Sequence, residues 1–381
     1  MEYSNFFDDL KSNIIGQYEE CKAYRILCES QGYNPSEHLR SEKDITNIPF
    51  LATTLFKKSA NLFLSLLRVE PDKLDKWTLS SSTSGDPSMV GRRNSDLMQI
   101  RKFVLMDDKF YDSASEYNCV FYPEPKVMRE YKSVRIMDKP TESYIGNLLG
   151  IFDFSENTTF LLKSCGEGFS VDMNSFEEFL KFNHERNNHL SLRGSTLLLY
   201  NAVLELKKQG KGPYNLGSRA IVHTGGGGWD GKKGNISIGT KIERYQFVEE
   251  ISEFLGIPQK NFRDTYSFTE NTFPMDGHYS QKLRSYLFHV PTWGRVIIRD
   301  VKTLEPLNKP GDRGLVQVLN AYGTSSFAGA SILVDDIAEI VANDFCPECK
   351  HEGMTFKIVG RVKGSEAKGC GATLDVRGKQ K

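Results

Sequence analysis

The sequence predicts an α/β fold with largely parallel sheets, on three observations. From about residue 95 onward, helical stretches alternate with short β-rich runs, the pattern of strands covered by helices. The 381 residues are 39% hydrophobic, which is enough apolar chain to bury a full core. No internal repeat or low-complexity linker divides the chain. We therefore expect one large domain over 1–340. The last forty residues differ in composition, with a Cys pair and several glycines among charges, so 341–381 are expected to form a short tail.

The predicted elements follow from periodicity. Phe6, Leu10, Ile14, Tyr18 and Cys21 recur at three- to four-residue spacing, which predicts an amphipathic helix packed on the main body. Further helices are predicted over 95–108, 174–189 and 242–255. The predicted strands are 119–122, 160–162, 196–199, 220–223, 296–298 and 314–319. Loops at the carboxyl ends of parallel strands are where ligands bind.

Composition excludes several classes of partner. The chain has 49 Lys and Arg against 49 Asp and Glu, so no overall field would hold nucleic acid or an anionic membrane. The first residues do not resemble a signal peptide, and no apolar run approaches the roughly 20 residues of a membrane span. Seven cysteines in no disulfide-like spacing indicate reduced thiols. We expect a cytoplasmic protein with no integral membrane segment.

A hydroxyl-rich run lies within residues 79–87. Short hydroxyl side chains followed by a glycine suit a loop that surrounds phosphate oxygens with O–H and backbone N–H donors. Composition alone favours an ordinary solvated turn, because the run lacks the Lys of a Walker loop. The residues concerned are Ser80, Ser81, Ser82, Thr83, Ser84 and Gly85.

A glycine-rich loop directly follows the β-rich run 219–222. Four glycines at a strand end let a flat ligand or a phosphate approach the backbone closely, and a tryptophan can pack beside it. The His and the Trp at its two ends favour a ligand site over a flexible surface loop. The segment consists of His223, Thr224, Gly225, Gly226, Gly227, Gly228 and Trp229.

A third segment, residues 264–271, combines an aromatic ring, hydroxyls and a carboxylate. Tyr266 can stack on a base and Thr269 can bind a phosphate oxygen. Glu270 can hold Mg²⁺, which takes one or two carboxylates together with phosphate oxygens. By itself this signal is weak, because an aromatic residue and a Glu four apart occur by chance in most proteins of this size.

Taken in order, the three segments resemble the motifs of the adenylate-forming superfamily of acyl-CoA synthetases. The hydroxyl run resembles its phosphate loop, with Ser88 at the position of the usual Lys, and the glycine loop resembles its adenine-side loop. Residues 266–270 match its Tyr-Gly-x-Thr-Glu motif, with Ser267 in the Gly position. Asp336 falls where the superfamily keeps an Asp for the ribose hydroxyls, and Arg361 belongs to the Gly-Arg pair that opens the hinge. The resemblance implies ATP and Mg²⁺ as cofactors, with Glu270 as the metal ligand.

The ending departs from that superfamily. Ordinary members continue beyond the hinge into a lid with a catalytic Lys, whereas Gly-Ser-Glu-Ala-Lys-Gly-Cys-Gly stands here over 364–371. This ending and the glycine loop are similar to the LuxE-type acyl-protein synthetases of bacterial fatty-acid reductase complexes. Members of that family activate a fatty acid with ATP, take the acyl group onto a cysteine near the C-terminus and pass it to an acyl-reductase subunit. Cys370 occupies that position.

The resemblance implies catalytic roles for Cys370, Glu270 and His223. Arg361, Lys363 and Lys368 lie close to Cys370 in sequence and would favour its thiolate. His223 would orient the acid or the adenylate carbonyl, or would be an ordinary satisfied histidine. The implied partners are a fatty or other carboxylic acid and an acyl-reductase subunit, an acyl carrier protein or an acyltransferase.

Two other functions stay open at this point. An acyl-CoA ligase of the phenylacetate type would pass the acyl group to CoA instead of Cys370. A degenerate nucleotide-binding partner would regulate a reductase without chemistry, and the departures at Ser88 and Ser267 keep this reading open.

Three further groups of residues have two interpretations each. Cys346 and Cys349, with His351 next in line, suggest a zinc site, but the usual second Cys pair is missing. Arg92 and Arg93, just after the hydroxyl run, either reach phosphates or form a solvated basic pair, and the solvated pair is the ordinary case. One apolar group either lines an acyl channel or forms plain core: Leu148, Leu149, Ile151, Phe152 and Phe154.

Overall fold

The computed structural model describes residues 5–80, 86–106, 115–152, 154–166, 168–227, 229, 232–233, 236–237 and 241–362. Several residues of the predicted site lie outside the described residues. They are Ser81, Ser82, Thr83, Ser84, Gly85, Gly228 and Cys370.

Four of the described helices correspond to predicted ones. They are α1 (Phe6–Glu20), α2 (Lys22–Ser30), α3 (Pro35–His38), α4 (Asn94–Leu105), α5 (Pro125–Glu130), α6 (Tyr144–Leu149), α7 (Met173–Asn183), α8 (Thr196–Lys208) and α9 (Arg244–Leu255). The helices predicted over 95–108, 174–189 and 242–255 are confirmed as α4, α7 and α9. The predicted N-terminal helix is α1, which buries Phe6, Leu10 and Ile14. Among these described helices, none is both long and apolar enough to cross a membrane.

The described strands are β1 (Leu51–Ala52), β2 (Lys76–Leu79), β3 (Met89–Arg92), β4 (Tyr117–Phe121), β5 (Arg135–Ile136), β6 (Lys139–Ser143), β7 (Thr158–Phe160), β8 (Leu162–Cys165), β9 (Gly168–Val171), β10 (Leu190–Ser195), β11 (Ile221–Gly225), β12 (Lys232–Lys233), β13 (Ile236–Ser237), β14 (Phe262–Tyr266), β15 (Met275–Ser280), β16 (Ser285–His289), β17 (Gly294–Arg299), β18 (Pro306–Leu307), β19 (Arg313–Asn320), β20 (Ser331–Ala342) and β21 (Thr355–Arg361). Four predicted strands are confirmed as β4, β11, β17 and β19. The run predicted over 160–162 falls at the junction of β7 and β8.

A mixed sheet of 13 strands forms the centre of the fold. The strands β7, β4, β10, β11 and β14 lie side by side and parallel. From β14 the sheet continues through antiparallel neighbours, in the order β15, β16, β21, β20, β19, β17 and β18. The prediction of largely parallel sheets therefore holds for one half only. The other half comes from the last third of the chain, where short connections leave no length for crossover helices.

The strand predicted at 196–199 is wrong, because these residues form the first turn of α8. The strand at this point is β10, which ends at Ser195. A four-residue apolar run does not distinguish a strand from a helix, and the longer pattern decides. That pattern has the helical period, with buried residues at Leu198, Leu199, Ala202, Val203 and Leu206.

The register of the parallel half brings two predicted motifs to one edge of the sheet. Ser195 at the end of β10 lies beside Gly225 at the end of β11, and Gly225 lies beside Thr265 of β14. Because the carboxyl ends of parallel strands meet at one edge, the glycine loop and the Tyr266 motif both start there.

The antiparallel half of the sheet contains the other two motif residues, Asp336 and Arg361. The hairpin of β20 and β21 pairs Asp336 directly with Arg361. Strand β21 is part of the large sheet as far as its last residue, Arg361. The division of the chain into 1–340 and 341–381 stays a prediction.

Candidate active site

A cavity of about 400 Å³ lies where the two halves of the sheet meet. Its wall gathers most of the predicted ATP-binding residues that the structure describes, from positions as distant in sequence as Ser80 and Arg361. We call it the nucleotide cavity. The predicted residues in its wall are Ser80, Gly226, Gly227, Trp229, Tyr266, Thr269, Glu270, Asp336 and Arg361.

The glycine loop forms one side of this cavity. Gly226 and Gly227 have φ of 86° and 71°, a left-handed conformation that residues with a side chain rarely adopt. The chain thereby turns sharply at the end of β11 with its backbone open to a ligand. Trp229 is fixed behind the turn, because its ring packs edge-on against Phe247 at 5.4 Å and the Arg244 guanidinium lies 5.5 Å from it.

The carboxylate of Asp336 is held from two sides. The Tyr266 hydroxyl donates to its Oδ2 at 2.9 Å, and Arg361 Nε donates to its Oδ1 at 2.5 Å. Burial and the neighbouring Asp336 raise the pKa of Tyr266 well above its usual value, so this hydroxyl keeps its proton and remains a donor. A carboxylate accepts up to about four hydrogen bonds. Asp336 is therefore oriented and still able to accept from ribose hydroxyls.

The surroundings of Glu270 suit a residue that binds a cation. Its side chain is buried and lines the cavity, and among the described residues its Oε1 has no hydrogen-bond partner. An ionised oxygen that is buried without a partner is costly, whereas a bound cation would satisfy it. The residue thus fits the predicted role of a Mg²⁺ ligand.

The interpretation of Arg92 and Arg93 as a solvated pair is wrong. The Arg92 side chain is buried, donates to the carbonyls of Thr269 at 2.7 Å and Gly323 at 3.1 Å, and lies over the ring of Phe327. Arg93 donates to the hydroxyl of Ser325 at 2.7 Å. Arg92 therefore braces the backbone immediately before Glu270. The carbonyls that need these donors come from distant segments, so the sequence alone does not reveal them.

A smaller cavity of about 80 Å³ adjoins the nucleotide cavity, and we call it the apolar cavity. The two share the wall residues Tyr144, Ile145, Gly226, Thr265 and Ser267. Gly225 and His223 line the apolar cavity rather than the nucleotide cavity. Four of the five candidates for an acyl channel also line it, namely Leu148, Leu149, Phe152 and Phe154.

The fifth candidate, Ile151, is in a different place. It packs in a separate cluster with Ile100 and Val104, outside the wall of the apolar cavity. An apolar wall that adjoins a nucleotide-type cavity suits an acid whose carboxylate must meet a phosphate.

His223 points its nitrogens at protein groups. Its Nδ1 lies 3.4 Å from Arg193 Nη1, and because Arg can only donate, this nitrogen accepts. The proton of the neutral ring is then on Nε2, which lies 2.8 Å from Thr265 Oγ1 and 3.4 Å from Asp276 Oδ1. Burial, with the nearby Arg193, lowers the pKa of His223 well below its usual value, so the ring is neutral at pH 7. This geometry suits a residue that positions Thr265.

Comparison with known proteins identifies the family of this chain. A family model described as acyl-protein synthetase, LuxE, matches residues 130–377, well over half of the chain. The chain belongs to the LuxE family of acyl-protein synthetases. It is therefore a ligase, and the family supports activation of an acid through an acyl-adenylate. A comparison with curated protein sequences finds no significant match.

Solved structures share the fold of this LuxE-family protein. The chain is similar to an open conformation of 2-hydroxyisobutyryl-CoA ligase in complex with 2-HIB-AMP and CoA. The identity is 15% and the TM-score 0.64, over 94% of this chain and 69% of that chain. The same ligase in the postadenylation state with R3-HIB-AMP gives 14% identity and a TM-score of 0.63, over 94% and 67%. The predicted α/β fold of the adenylate-forming type is thereby confirmed.

Two residues of this acyl-protein synthetase were given no role of their own in the sequence analysis. The Tyr144 hydroxyl hydrogen-bonds the Ser267 hydroxyl where the two cavities meet. Nothing in the sequence around Tyr144 marks it. Asp264 lines the nucleotide cavity and accepts from the Thr224 hydroxyl at 3.2 Å and the Thr265 N–H at 3.1 Å. Its place two residues before Tyr266 was a usable signal.

We expect Asp264 to make the folding stability of this LuxE-family protein depend on pH. Burial raises its pKa from 3.8 to about 6, and the nearby Arg244 only partly opposes this. Between these values the folded state holds a proton that the unfolded chain has released, so stability is lost as the pH rises from about 4 through 6. Asp264→Asn should remove on the order of 2 kcal/mol of that loss.

Denaturant unfolding of both proteins at pH 4 and pH 7 measures the difference. Asp72→Asn, at an exposed position, is the control and should leave the pH dependence unchanged. Equal losses in wild type and Asp264→Asn would show that Asp264 titrates alike in the folded and unfolded chain.

Proposed function

We propose that this acyl-protein synthetase activates a fatty acid with ATP and Mg²⁺, takes the acyl group onto its own Cys370, and then passes it to an acyl-reductase partner. The observation that carries the proposal is the contact between the apolar and nucleotide cavities along Tyr144, Gly226 and Thr265. An acid with its chain in the first cavity would place its carboxylate at this boundary, next to the α-phosphate of a nucleotide in the second.

In the first half-reaction a carboxylate oxygen attacks the α-phosphorus of ATP. The new P–O bond gives acyl-AMP, and the bond to the β-phosphate oxygen breaks, so that pyrophosphate leaves. The binding groups would be Asp336 for the ribose, the backbone at Gly226 and Gly227 for the adenine side, and Ser80 with the hydroxyl run for the phosphates. Holding both reactants in this geometry supplies much of the acceleration.

Glu270 would hold the Mg²⁺ ion, whose charge offsets the charge that builds up on the phosphate oxygens. Its unpartnered buried oxygen supports this role. Arg92, which braces the carbonyl of Thr269, would keep the Glu270 carboxylate in place and is a positioning residue.

In the second half-reaction the Cys370 thiolate attacks the acyl carbonyl. The C–S bond forms, the C–O bond to AMP breaks, and AMP leaves with the electron pair on its phosphate. The family match supports this assignment because it extends to residue 377 and so includes Cys370. Reach also supports it, since Cys370 is nine residues beyond Arg361 at the cavity wall. Such a segment spans up to about 30 Å when extended.

In this scheme residues 1–340 form the adenylating domain and 341–381 carry the acceptor. A free thiol at Cys370 is required between cycles. A reducing compartment such as the cytoplasm would keep it free.

Cys370→Ser should retain acid-dependent exchange of pyrophosphate into ATP, because adenylation uses only the nucleotide cavity. It should lose the hydroxylamine-labile acyl group, which mass spectrometry of the intact protein detects. Cys165→Ser, which changes an exposed thiol elsewhere in the chain, is the control and should retain both. A thioester on a different cysteine of Cys370→Ser would reject the acceptor assignment, and efficient acyl transfer to added CoA would favour a CoA ligase.

Glu270→Gln should impair the first half-reaction, because an amide binds Mg²⁺ far more weakly than a carboxylate. We expect the rate of pyrophosphate exchange to fall by at least about 100-fold, the scale of losing an electrostatic stabiliser. Glu249→Gln, which removes an exposed carboxylate of α9, is the control. Exchange near the wild-type rate at ordinary Mg²⁺ would leave Glu270 with a structural role only.

Straight-chain acids should give increasing kcat/KM with length. Each buried methylene is worth about 0.8 kcal/mol, so two should improve kcat/KM roughly tenfold until the apolar cavity is full. Phe152→Ala should move the optimum to longer acids, because Phe152 lines that cavity. Phe182→Ala, at an exposed ring outside its wall, should leave the optimum in place. A flat series, or a preference for a short hydroxylated acid, would reject the fatty-acyl substrate and leave adenylation intact.

A further inference from the structure

A cluster of two histidines and two cysteines lies outside both cavities. His278 is on β15, His289 ends β16, and Cys346 and Cys349 are in the loop between β20 and β21. One ligand atom from each lies within 4.8 Å of every other. We propose that these four residues bind one zinc ion in a structural site.

The sheet places the two histidines side by side. His278 pairs with Leu287 of the antiparallel neighbour, so His278 and His289 share a face as diagonal neighbours. Their rings stack at 5.1 Å with 17° between the planes. His278 Nδ1 and His289 Nε2 are 3.0 Å apart, and His289 Nε2 is 3.4 Å from Cys349 Sγ.

The loop that carries the cysteines folds back on itself. The Cys346 N–H donates to the carbonyl of His351 at 2.8 Å, and the Lys350 N–H donates to the carbonyl of Cys346 at 3.1 Å. Lys350 takes the left-handed conformation, with φ of 59°, which closes the turn directly after Cys349. The Cys349 N–H then lies 3.5 Å from Cys346 Sγ. Both sulfurs are thereby presented to the histidines.

Each histidine has an acceptor for its outer nitrogen. His278 Nε2 lies 3.4 Å from a carboxylate oxygen of Glu348, and His289 Nδ1 lies 3.2 Å from the hydroxyl of Thr355. Histidines that bind metals usually donate their second ring N–H in this way, which fixes the tautomer and directs the other nitrogen at the ion. The inner nitrogens are the two that face each other and the sulfurs.

The ligand set selects the metal. A tetrahedral zinc ion with bonds of about 2.1 Å to nitrogen and about 2.3 Å to sulfur holds its ligand atoms about 3.4 to 3.8 Å apart. His289 Nε2 and Cys349 Sγ are 3.4 Å apart, and all four atoms lie within 4.8 Å of one another. Two thiolates and two imidazoles are the donors that zinc prefers, and two thiolates balance its charge. Because protein groups fill all four positions, the site has no place for a substrate or water. This makes it structural rather than catalytic.

The position of the site in the sheet indicates what the ion would hold. His289 pairs with Thr355, the first residue of β21, and the same strand reaches the nucleotide cavity at Arg361. The ion would fasten the cysteine loop onto β15 and β16 and so fix the start of β21. None of the four ligands is among the described residues that line the nucleotide cavity.

The test starts from the metal content of the full-length protein, purified without added metal or chelator. We expect about one zinc ion per chain, measured by inductively coupled plasma mass spectrometry. After removal of the zinc, Co²⁺ alone, without ATP, should bind in one equivalent with the visible absorption of a tetrahedral thiolate site. Zinc should raise the melting temperature of the stripped protein.

Cys349→Ser should lose both the Co²⁺ spectrum and the zinc-dependent rise in melting temperature. Its side chain is exposed, so this change spares the packing, and Cys165→Ser is the matched control at an exposed thiol. Glu348→Gln should weaken zinc binding by about 10- to 100-fold, the usual effect of removing an outer-shell partner.

Three results would overturn the site. The first is a stripped wild-type protein that takes up neither zinc nor Co²⁺. The second is Co²⁺ bound with an octahedral spectrum that lacks thiolate bands, or bound equally well by Cys349→Ser. The third is a disulfide between Cys346 and Cys349 in protein prepared without an oxidant.

Discussion

The Asp336 carboxylate, bound by Tyr266 and Arg361, requires the large sheet to curl. Tyr266 is on β14 and Asp336 on β20, and three strands lie between them in the sheet. In a flat sheet, with strands about 4.8 Å apart, the two backbones would be roughly 19 Å from each other. Their side chains nonetheless meet at 2.9 Å. The strong twist and coiling that this demands creates the concave surface in which the nucleotide cavity lies.

Aromatic rings fill the inside of the curl. The rings of Phe288 on β16 and Phe356 on β21 lie 5.8 and 5.9 Å from that of Tyr266, and the two residues pair with each other across these neighbouring strands. Their packing supports the hydroxyl at the end of the Tyr266 ring. The apolar core and the polar site are thus parts of one arrangement. The charge on Asp336 is stabilised by donors that the core holds in position.

The motifs in the sequence indicated which residues line one cavity, while nucleotide binding there stays a prediction, and local pattern was sufficient for four of the nine described α-helices. Asp336 and Arg361 were matched one at a time, yet they are direct partners across a hairpin. What the sequence could not give was pairing between distant segments. From the sequence, Arg92 resembles one of two surface cations. Only the fold brings the carbonyls of Thr269 and Gly323 to it. Likewise, the two histidines beside Cys346 and Cys349 come from strands well before them in the chain, at a spacing outside the typical zinc-ligand patterns.

The short distance in sequence between Arg361 and Cys370 has a kinetic consequence. In the proposed scheme, a thiol tethered only nine residues beyond Arg361 would meet the acyl-adenylate at an effective concentration in the millimolar range. A diffusing thiol would need a similar concentration in solution to compete for the same acyl-adenylate. Acyl capture would then be independent of protein concentration, and the reactive mixed anhydride would have little time to meet water. Transfer of the acyl group to a partner would become the step whose rate depends on the partner's concentration.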